Sequence, residues 1–412
     1  MRKFYRMNII NICLWLYIFF KPFYLSGSGS LQISDGFIIL AFVLTFMSKE
    51  EKRMIDKKTI YIFIFSCCVT IINLIYYSIY QNTGFVQSIM YYVFILMGIM
   101  LLNTKVKDES FLNVAYYTFI VDIVVQLILY IVGVGKNWMG TTRYMGTLRD
   151  PNQFAFFIFL CMMYIHILEK ILQKKKRLIV YFIGVYLIFL SASTGMLLAV
   201  ATFVVLSIIS NSDYMLKVKR VITSKQAIII LFIILIGLFI LGLDKDNWDK
   251  TVEFIDKNIV NSSIVKRTMS KFEKSNGTNS SLAEDRNLDM LYNNWEYIFI
   301  GAGEGAYDRF NSGGEIHSTL PSMLFYYGII PLFIVLVWIY KNLKGLKIRD
   351  LIPYIAIFIE SFTLLNQRQL LLWGIIMLAP SIKQSNINRE SDIFGKRGKT
   401  DEENFNSSSS VQ

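Results

Sequence analysis

The stretch Thr59–Tyr80 reads TIYIFIFSCCVTIINLIYYSIY, without one Asp, Glu, Lys or Arg, and it follows directly on Lys57-Lys58. About 20 apolar residues in a helix cover the hydrocarbon thickness of a bilayer. Inside lipid, a helix also satisfies its own backbone polar groups. The stretch therefore reads as a transmembrane helix with a basic flank. Working outward, comparable runs lie near 7–25, 31–47, 88–103, 111–133, 153–168, 178–192, 195–210, 227–243, 319–340, 350–366 and 369–380. The expected fold is all-α: a polytopic membrane protein of about twelve spans. Composition agrees, since 54% of the 412 residues are hydrophobic and only 17% charged, against about 25% charged in soluble domains. A soluble globular chain is excluded.

Loop charge gives the orientation. The short connections 48–58 and 169–177 are strongly basic, as cytoplasmic loops are. With both termini in the cytoplasm, two thirds of the 42 Lys and Arg fall on the inner side. Most of the rest lie in one long outer segment, where the rule does not apply. The net charge of +12 thus reflects orientation and does not point to nucleic acid. The first apolar run leads into Lys21-Pro22 without a small-residue cleavage site, so it reads as an anchor. Cys13, Cys67, Cys68 and Cys161 lie inside apolar runs, where thiols behave as small hydrophobes and form no disulfide framework.

The expected organisation is lopsided. A membrane domain of about nine spans occupies 1–243. An extracytoplasmic segment follows at 244–318, three further spans at 319–380, and a disordered cytoplasmic tail at 381–412. Trp248, Phe254, Ile255, Leu291, Trp295 and Phe299 are expected to anchor short helices of the outer segment over the membrane domain. Its polar stretch 274–281 is expected to be a mobile loop.

Four elements project to the same outer side. The loop 134–152 carries Arg143 and then Arg149-Asp150-Pro151-Asn152. Asp before Pro is a natural helix start, and a helix N-terminus beside two arginines can also bind an anion. Arg286 precedes an amphipathic stretch. Gly301-Ala302-Gly303-Glu304-Gly305 resembles a phosphate cradle, yet no strand precedes it; a tight glycine turn is the simpler reading. Glu315-Ile316-His317-Ser318 places an outer histidine just before a span, where a general base could act. His166, the other histidine, reads as interfacial packing. Asp122 and Glu360 lie within spans, where charge is costly and usually functional. They suit either proton coupling in a transporter or satisfaction of a partner such as Arg368.

Together these residues resemble the O-antigen ligase and polymerase superfamily. Gly146-Thr147-Leu148-Arg149-Asp150-Pro151-Asn152 is similar to its Gly-x-x-x-Asp-Pro-Asn element. Gly301-Ala302-Gly303, then His317-Ser318, then Gly328-Ile329-Ile330 resembles its second signature, with Arg286 at the position of the family's upstream arginine. The resemblance covers about 110–345. It departs at Ala192-Ser193-Thr194-Gly195, where Ser193 stands in place of a frequent arginine.

The resemblance implies a glycosyltransferase in the bacterial cytoplasmic membrane. It would move a glycan from undecaprenyl diphosphate to an acceptor hydroxyl on the outer face, without cofactor or metal, building a capsule, exopolysaccharide or O-antigen. Arg143, Arg149, Arg286 and Arg368 are the expected diphosphate ligands, because a guanidinium fork suits phosphate oxygens. His317 is the expected base, with Glu304 and Glu315 as alternatives. A flippase and a chain-length regulator of the same pathway are the expected partners, besides the lipid bilayer. Ligase-type transfer to another acceptor is the alternative within the family. The competing class is a transporter or polysaccharide flippase, which should show two comparable halves; the sequence has none.

Overall fold

Helices begin where the chain supplies an acceptor for amides that the first turn leaves unpaired. In the computed structural model, which describes residues 9–25, 32–47, 54–139, 141–211, 287–310 and 314–388, side-chain caps open several of the long helices. The Asn82 amide oxygen accepts from Gly84 N at 2.8 Å and opens α4, Thr83–Lys105. Asp108 accepts from the amides of Ser110 and Phe111 and opens α5, Glu109–Ile131. Asp150 accepts from Asn152 N at 2.7 Å and Gln153 N at 3.0 Å, with Pro151 as first residue of α6, Pro151–Ile171. The cap read from the sequence is therefore present.

The remaining long elements are α1 (Ile9–Phe20), α2 (Ile33–Phe46), α3 (Thr59–Tyr80), α7 (Leu178–Ser191) and α8 (Thr194–Asn211). A two-stranded hairpin, β1 Lys136–Asn137 with β2 Tyr144–Gly146, joins α5 to α6. Two short helices follow, α9 (Asp289–Asn293) and α10 (Tyr297–Ile300), then a 3-10 turn at Tyr307–Phe310. The chain continues through α11 (Thr319–Tyr327), α12 (Ile329–Leu343), α13 (Ile348–Glu360) and α14 (Leu370–Met377). The described chain is mostly helical. Its helices α3, α4, α5 and α6 are long and apolar enough to cross a membrane, while α1, α2, α7, α8 and α12 are apolar but shorter.

Burial sorts these helices into a centre and a rim. Almost every residue of α6 is buried, so it forms the core of the bundle. By contrast, α3 is apolar all round yet leaves Ile60, Phe63, Ile64, Ile71, Leu74 and Ile75 exposed. An apolar helix face without a protein partner is stable against lipid, not water.

The chain shuttles between two ends. At the hairpin end, Thr147 Oγ1 donates to Pro22 O at 2.7 Å, Arg143 Nε to Ser191 O at 3.0 Å, and Thr319 N to Ser361 O at 2.8 Å. Lys21 Nζ meets Asp35 Oδ1 at 3.0 Å there, with both side chains buried. At the opposite end, Lys58 Nζ donates to Asn342 Oδ1 at 3.2 Å, Lys170 pairs with Asp350, and Arg349 Nε donates to Ser210 O at 2.9 Å. Lys174, Lys175, Lys176 and Arg177 belong to this second end, which is the basic one.

Several boundaries differ from the sequence reading. The run 319–340 is two helices, broken at Gly328, where φ is +80°. A Cβ there would stand 2.7 Å from Phe299 O, so only glycine fits the close backbone approach. The run 350–366 is helical only as far as Glu360, and α4 starts five residues before its expected onset at 88. Residues 381–388, expected to open a disordered tail, are helical and packed. Ser381 Oγ donates to Val106 O at 2.6 Å, and Asn386 Nδ2 to Asp350 Oδ2 at 2.7 Å. Leu291 packs on the core, but Trp295 and Phe299 are exposed and meet each other edge-on instead of anchoring the segment. The expected span 227–243, the loop 274–281, Trp248, Phe254, Ile255 and the remainder of the tail lie outside the described residues.

The two ends lead to a topology test. Lys136, exposed at the hairpin end, and Lys175, exposed at the basic end, should lie on opposite faces of the membrane. Single cysteines at 136 or 175, in a chain lacking its four native cysteines, can be exposed to an impermeant maleimide on intact cells. Labelling is expected at 136 and protection at 175. Reaction at both positions, or at 175 alone, would discard the arrangement.

Candidate functional site

The glycine turn is built by backbone packing. Gly301 (φ +79°) lies against Tyr326 and Tyr327, and a Cβ on it would come within 2.8 Å of Tyr326 O. Ala302 N donates to Phe325 O at 2.9 Å, Gly303 N to Tyr326 O at 2.8 Å, and Glu304 N to Asn73 Oδ1 at 2.8 Å. Tyr76 donates to Gly301 O at 2.9 Å, and Ser88 to Glu304 O at 2.8 Å. The turn is thus wedged among α3, α4 and α11. The amides of 302, 303 and 304 are committed to protein acceptors, so they do not form a phosphate cradle.

This wedging drives Glu304 into the interior, where it is fully buried. Its carboxylate accepts from Arg368 Nε at 3.0 Å and Nη2 at 2.7 Å, from the Tyr327 hydroxyl, and from Gln367 Nε2 at 3.4 Å. Arg368 Nη2 also reaches Glu315 Oε2 at 2.6 Å and the Tyr307 hydroxyl at 3.1 Å. Tyr307 itself donates to Glu315 Oε2 at 3.0 Å, and the guanidinium lies over the Tyr91 ring at 5.5 Å. Burial opposes the charge on Arg368, but Glu304 and Glu315 more than offset it and hold the group well above its ordinary range. Burial and then Glu304 push the Tyr307 phenol far upward, which keeps it a neutral donor. Two carboxyl groups surround one guanidinium. The cluster therefore has no spare positive charge to offer a diphosphate, which argues against the ligand role expected of Arg368.

His317 lies beside this cluster in sequence, and its backbone is pinned on both sides. Ile316 N donates to Tyr326 Oη at 3.0 Å, and Ser318 Oγ to Phe362 O at 2.8 Å. The imidazole is exposed and, among the described residues, meets no hydrogen-bond partner. A fixed backbone with a free ring is compatible with a base awaiting an acceptor. Glu304, buried and ion-paired, is poorly placed for that task. Glu315 is 26% exposed at its side chain, so it is the accessible carboxylate of the pair.

The hairpin arginines occupy the same end but not the cluster. Arg143 Nη2 donates to Asn152 Oδ1 at 3.0 Å, and its Nε bond to Ser191 O ties the hairpin to the end of α7. Arg149 is exposed, and its Nη2 donates to Leu25 O at 3.1 Å. Ser193, which stands where the resemblance expects an arginine, is buried. Arg286 lies outside the described residues. Asp122 and Glu360 are both buried; Glu360 takes the Asn366 amide, not Arg368. His166 is packed edge-on against Phe203.

Tyr307, Tyr327, Gln367, Asn73 and Arg309 are site residues that the sequence reading missed. Asn73 carried a usable signal, since an amide in mid-span needs a partner. Arg309 stacks on Tyr76, Tyr80, Phe85 and Phe310, and its Nη2 donates to the carbonyls of Ala302 and Gly303. It is the clip of the glycine turn. The tyrosines carried no signal, because aromatic residues crowd every span of this chain.

Removing one partner of a buried ion pair strands the other, at about 3–5 kcal/mol. Arg368→Met should therefore lower the thermal unfolding temperature of detergent-purified protein sharply. In a Glu304→Gln background the same substitution should cost much less. Equal losses in both backgrounds would show that the pair is not coupled as described.

No family model, curated protein or solved structure matches the chain.

Proposed function

We propose that this chain is a polysaccharide polymerase of the bacterial cytoplasmic membrane. It would transfer a lipid diphosphate-linked oligosaccharide to an acceptor sugar hydroxyl on the outer face, with the hairpin end outward and both termini in the cytoplasm. The observation carrying the reading is the exposed imidazole of His317, on pinned backbone, at the same end as exposed Arg149 and half-buried Arg143. In this reading His317 takes the acceptor O–H proton while that oxygen bonds to the anomeric carbon. The bond from that carbon to the diphosphate breaks, and the departing oxygens gain charge that guanidinium forks stabilise. The Arg368 cluster holds Glu304, Tyr307 and Glu315 against the connection between α13 and α14. Arg368 then acts as a positioning residue, and the diphosphate role passes to Arg143, Arg149 and Arg286.

A transporter is the second reading, and the buried carboxyl groups of Asp122 and Glu360 are the observation that favours it. Transfer to a non-glycan acceptor is the variant of the first.

As a general base His317 should contribute roughly 10²–10⁴-fold. Both His317→Ala and His317→Gln should abolish chain growth at normal protein level and leave single lipid-linked repeat units to accumulate. Polymer of wild-type length from both variants would return His317 to a helix-start residue with no chemical role. Activity in His317→Gln alone would make the imidazole an orienting donor and Glu315 the preferred base.

Arg149 has a separate test. Losing a charged hydrogen bond typically costs about 1.5–3 kcal/mol, or roughly ten- to a hundredfold in turnover. A lysine is a point charge and lacks the fork. Arg149→Lys and Arg149→Ala should therefore fail alike in a polymer assay normalised to membrane protein level. Full activity in Arg149→Ala would remove it from the phosphate site.

A further inference from the structure

Among the described residues, Asp122 has neither an ion pair nor a hydrogen bond. It stands in the interior of α5, about 14 Å of helix rise below the end at Ile131. Its side chain is 1% exposed, and neither carboxyl oxygen has a hydrogen-bond partner. Elements α1, α6, α7 and the hairpin pack against α5. Of these, the hairpin places its Tyr144 hydroxyl nearby, committed to Gln126 O at 3.3 Å. An isolated carboxylate in so dry a place is far costlier than the neutral acid.

A polar ladder leads from this group to the hairpin end. Gln126, one turn further along the same face, is fully buried, and helical side chains lean back toward the N-terminus, here toward Asp122. Gln126 Nε2 donates to Thr147 Oγ1 at 2.9 Å, and Thr147 Oγ1 donates to Pro22 O at 2.7 Å. Gln126 Oε1 has no hydrogen-bond partner among the described residues. The ladder therefore ends in the 21–25 connection, beside exposed Arg149, which binds Leu25 O.

We propose that Asp122 is an intramembrane proton-binding site, which exchanges its proton with the hairpin end through Gln126 and Thr147. A metal cation is the poorer occupant, since no group of three His, Cys, Asp or Glu side chains gathers among the described residues. Loss of the proton would leave a carboxylate with the Gln126 amide as a donor one helical turn away. Turning that amide downward would take one hydrogen bond from Thr147, the residue whose own bond to Pro22 O joins the hairpin to the 21–25 connection. The protonation state of Asp122 is thereby linked to the end that carries Arg149. This inference does not depend on which reaction that end performs.

Infrared spectroscopy of the full chain in liposomes tests it. At neutral pH the wild-type protein should show a protonated-carboxyl carbonyl band that Asp122→Asn deletes, Asp122→Glu moves, and Glu360→Gln leaves in place. Transfer to D2O should shift the band. Gln126→Leu combined with Thr147→Val should slow that shift at least tenfold without moving the band at the start. A spectrum unchanged by Asp122→Asn, or a band that never exchanges in D2O, would overturn the proposal. Exchange as fast in the double variant as in wild type would overturn the route, and suppression of the band by sodium ions would make the site a cation site instead.

Discussion

A carboxylate sealed from water must have a cation beside it, and in this chain Arg368 supplies that cation to Glu304. The interaction has long reach because its partners come from distant parts of the chain. Glu304 sits on the glycine turn, Glu315 and Tyr307 on the segment that follows it, and Arg368 between α13 and α14. One guanidinium thus ties the glycine turn, Tyr307 and Glu315 to the last helices of the bundle. Tyr327, Gln367 and Ser322 complete the shell, with Gln367 Nε2 donating to Ser322 Oγ at 3.0 Å. A buried pair of this kind is weak evidence for net stability, because desolvation offsets much of the attraction. It is stronger evidence for register, since any slip of the turn would leave a charge uncompensated.

The glycines serve the same end by removing side chains. Gly301 and Gly328 face each other across backbones too close for a Cβ on either. That closeness lets the 302 and 303 amides pair with the end of α11, and it breaks the expected span at Gly328. The sequence G-A-G-E-G therefore encodes a packing wedge, and its likeness to a phosphate loop is a likeness of composition. Arg309 reinforces the wedge from the aromatic side, where Tyr76, Tyr80 and Phe85 hold its guanidinium. Charge and aromatic surface are arranged around a turn whose purpose is to place Glu304.

The remaining polar groups divide by depth. Arg143, Arg149 and His317 lie at the hairpin end with at least part of their surface open, whereas Asp122, Gln126 and Glu360 are sealed within the bundle. A site for transfer chemistry needs the first kind, because an acceptor hydroxyl and a leaving group must arrive and depart. The second kind is maintained against a desolvation cost, which is why an unpartnered carboxyl inside a membrane helix points to a proton.

By itself the sequence determined the helical class, the apolar runs suited to a membrane and the helix start at Asp150-Pro151. Each follows from local physics: apolar runs matched to hydrocarbon thickness, basic flanks, and an Asp before Pro151 able to cap the amides behind it. It also made Asp122, Glu360 and His317 legible, since a titratable group in an apolar run stands out without any structure. The tertiary structure alone decided which carboxylate met which arginine. Arg368 is 64 residues from Glu304 and 53 from Glu315, and no periodicity reports a pairing over that distance. The same holds for the amides of the glycine turn, whose partners lie on α11 and α3. Local pattern fixes what a segment becomes. Which charges are neutralised and which remain free depends on how the segments pack, because desolvation and pairing are properties of the assembled bundle.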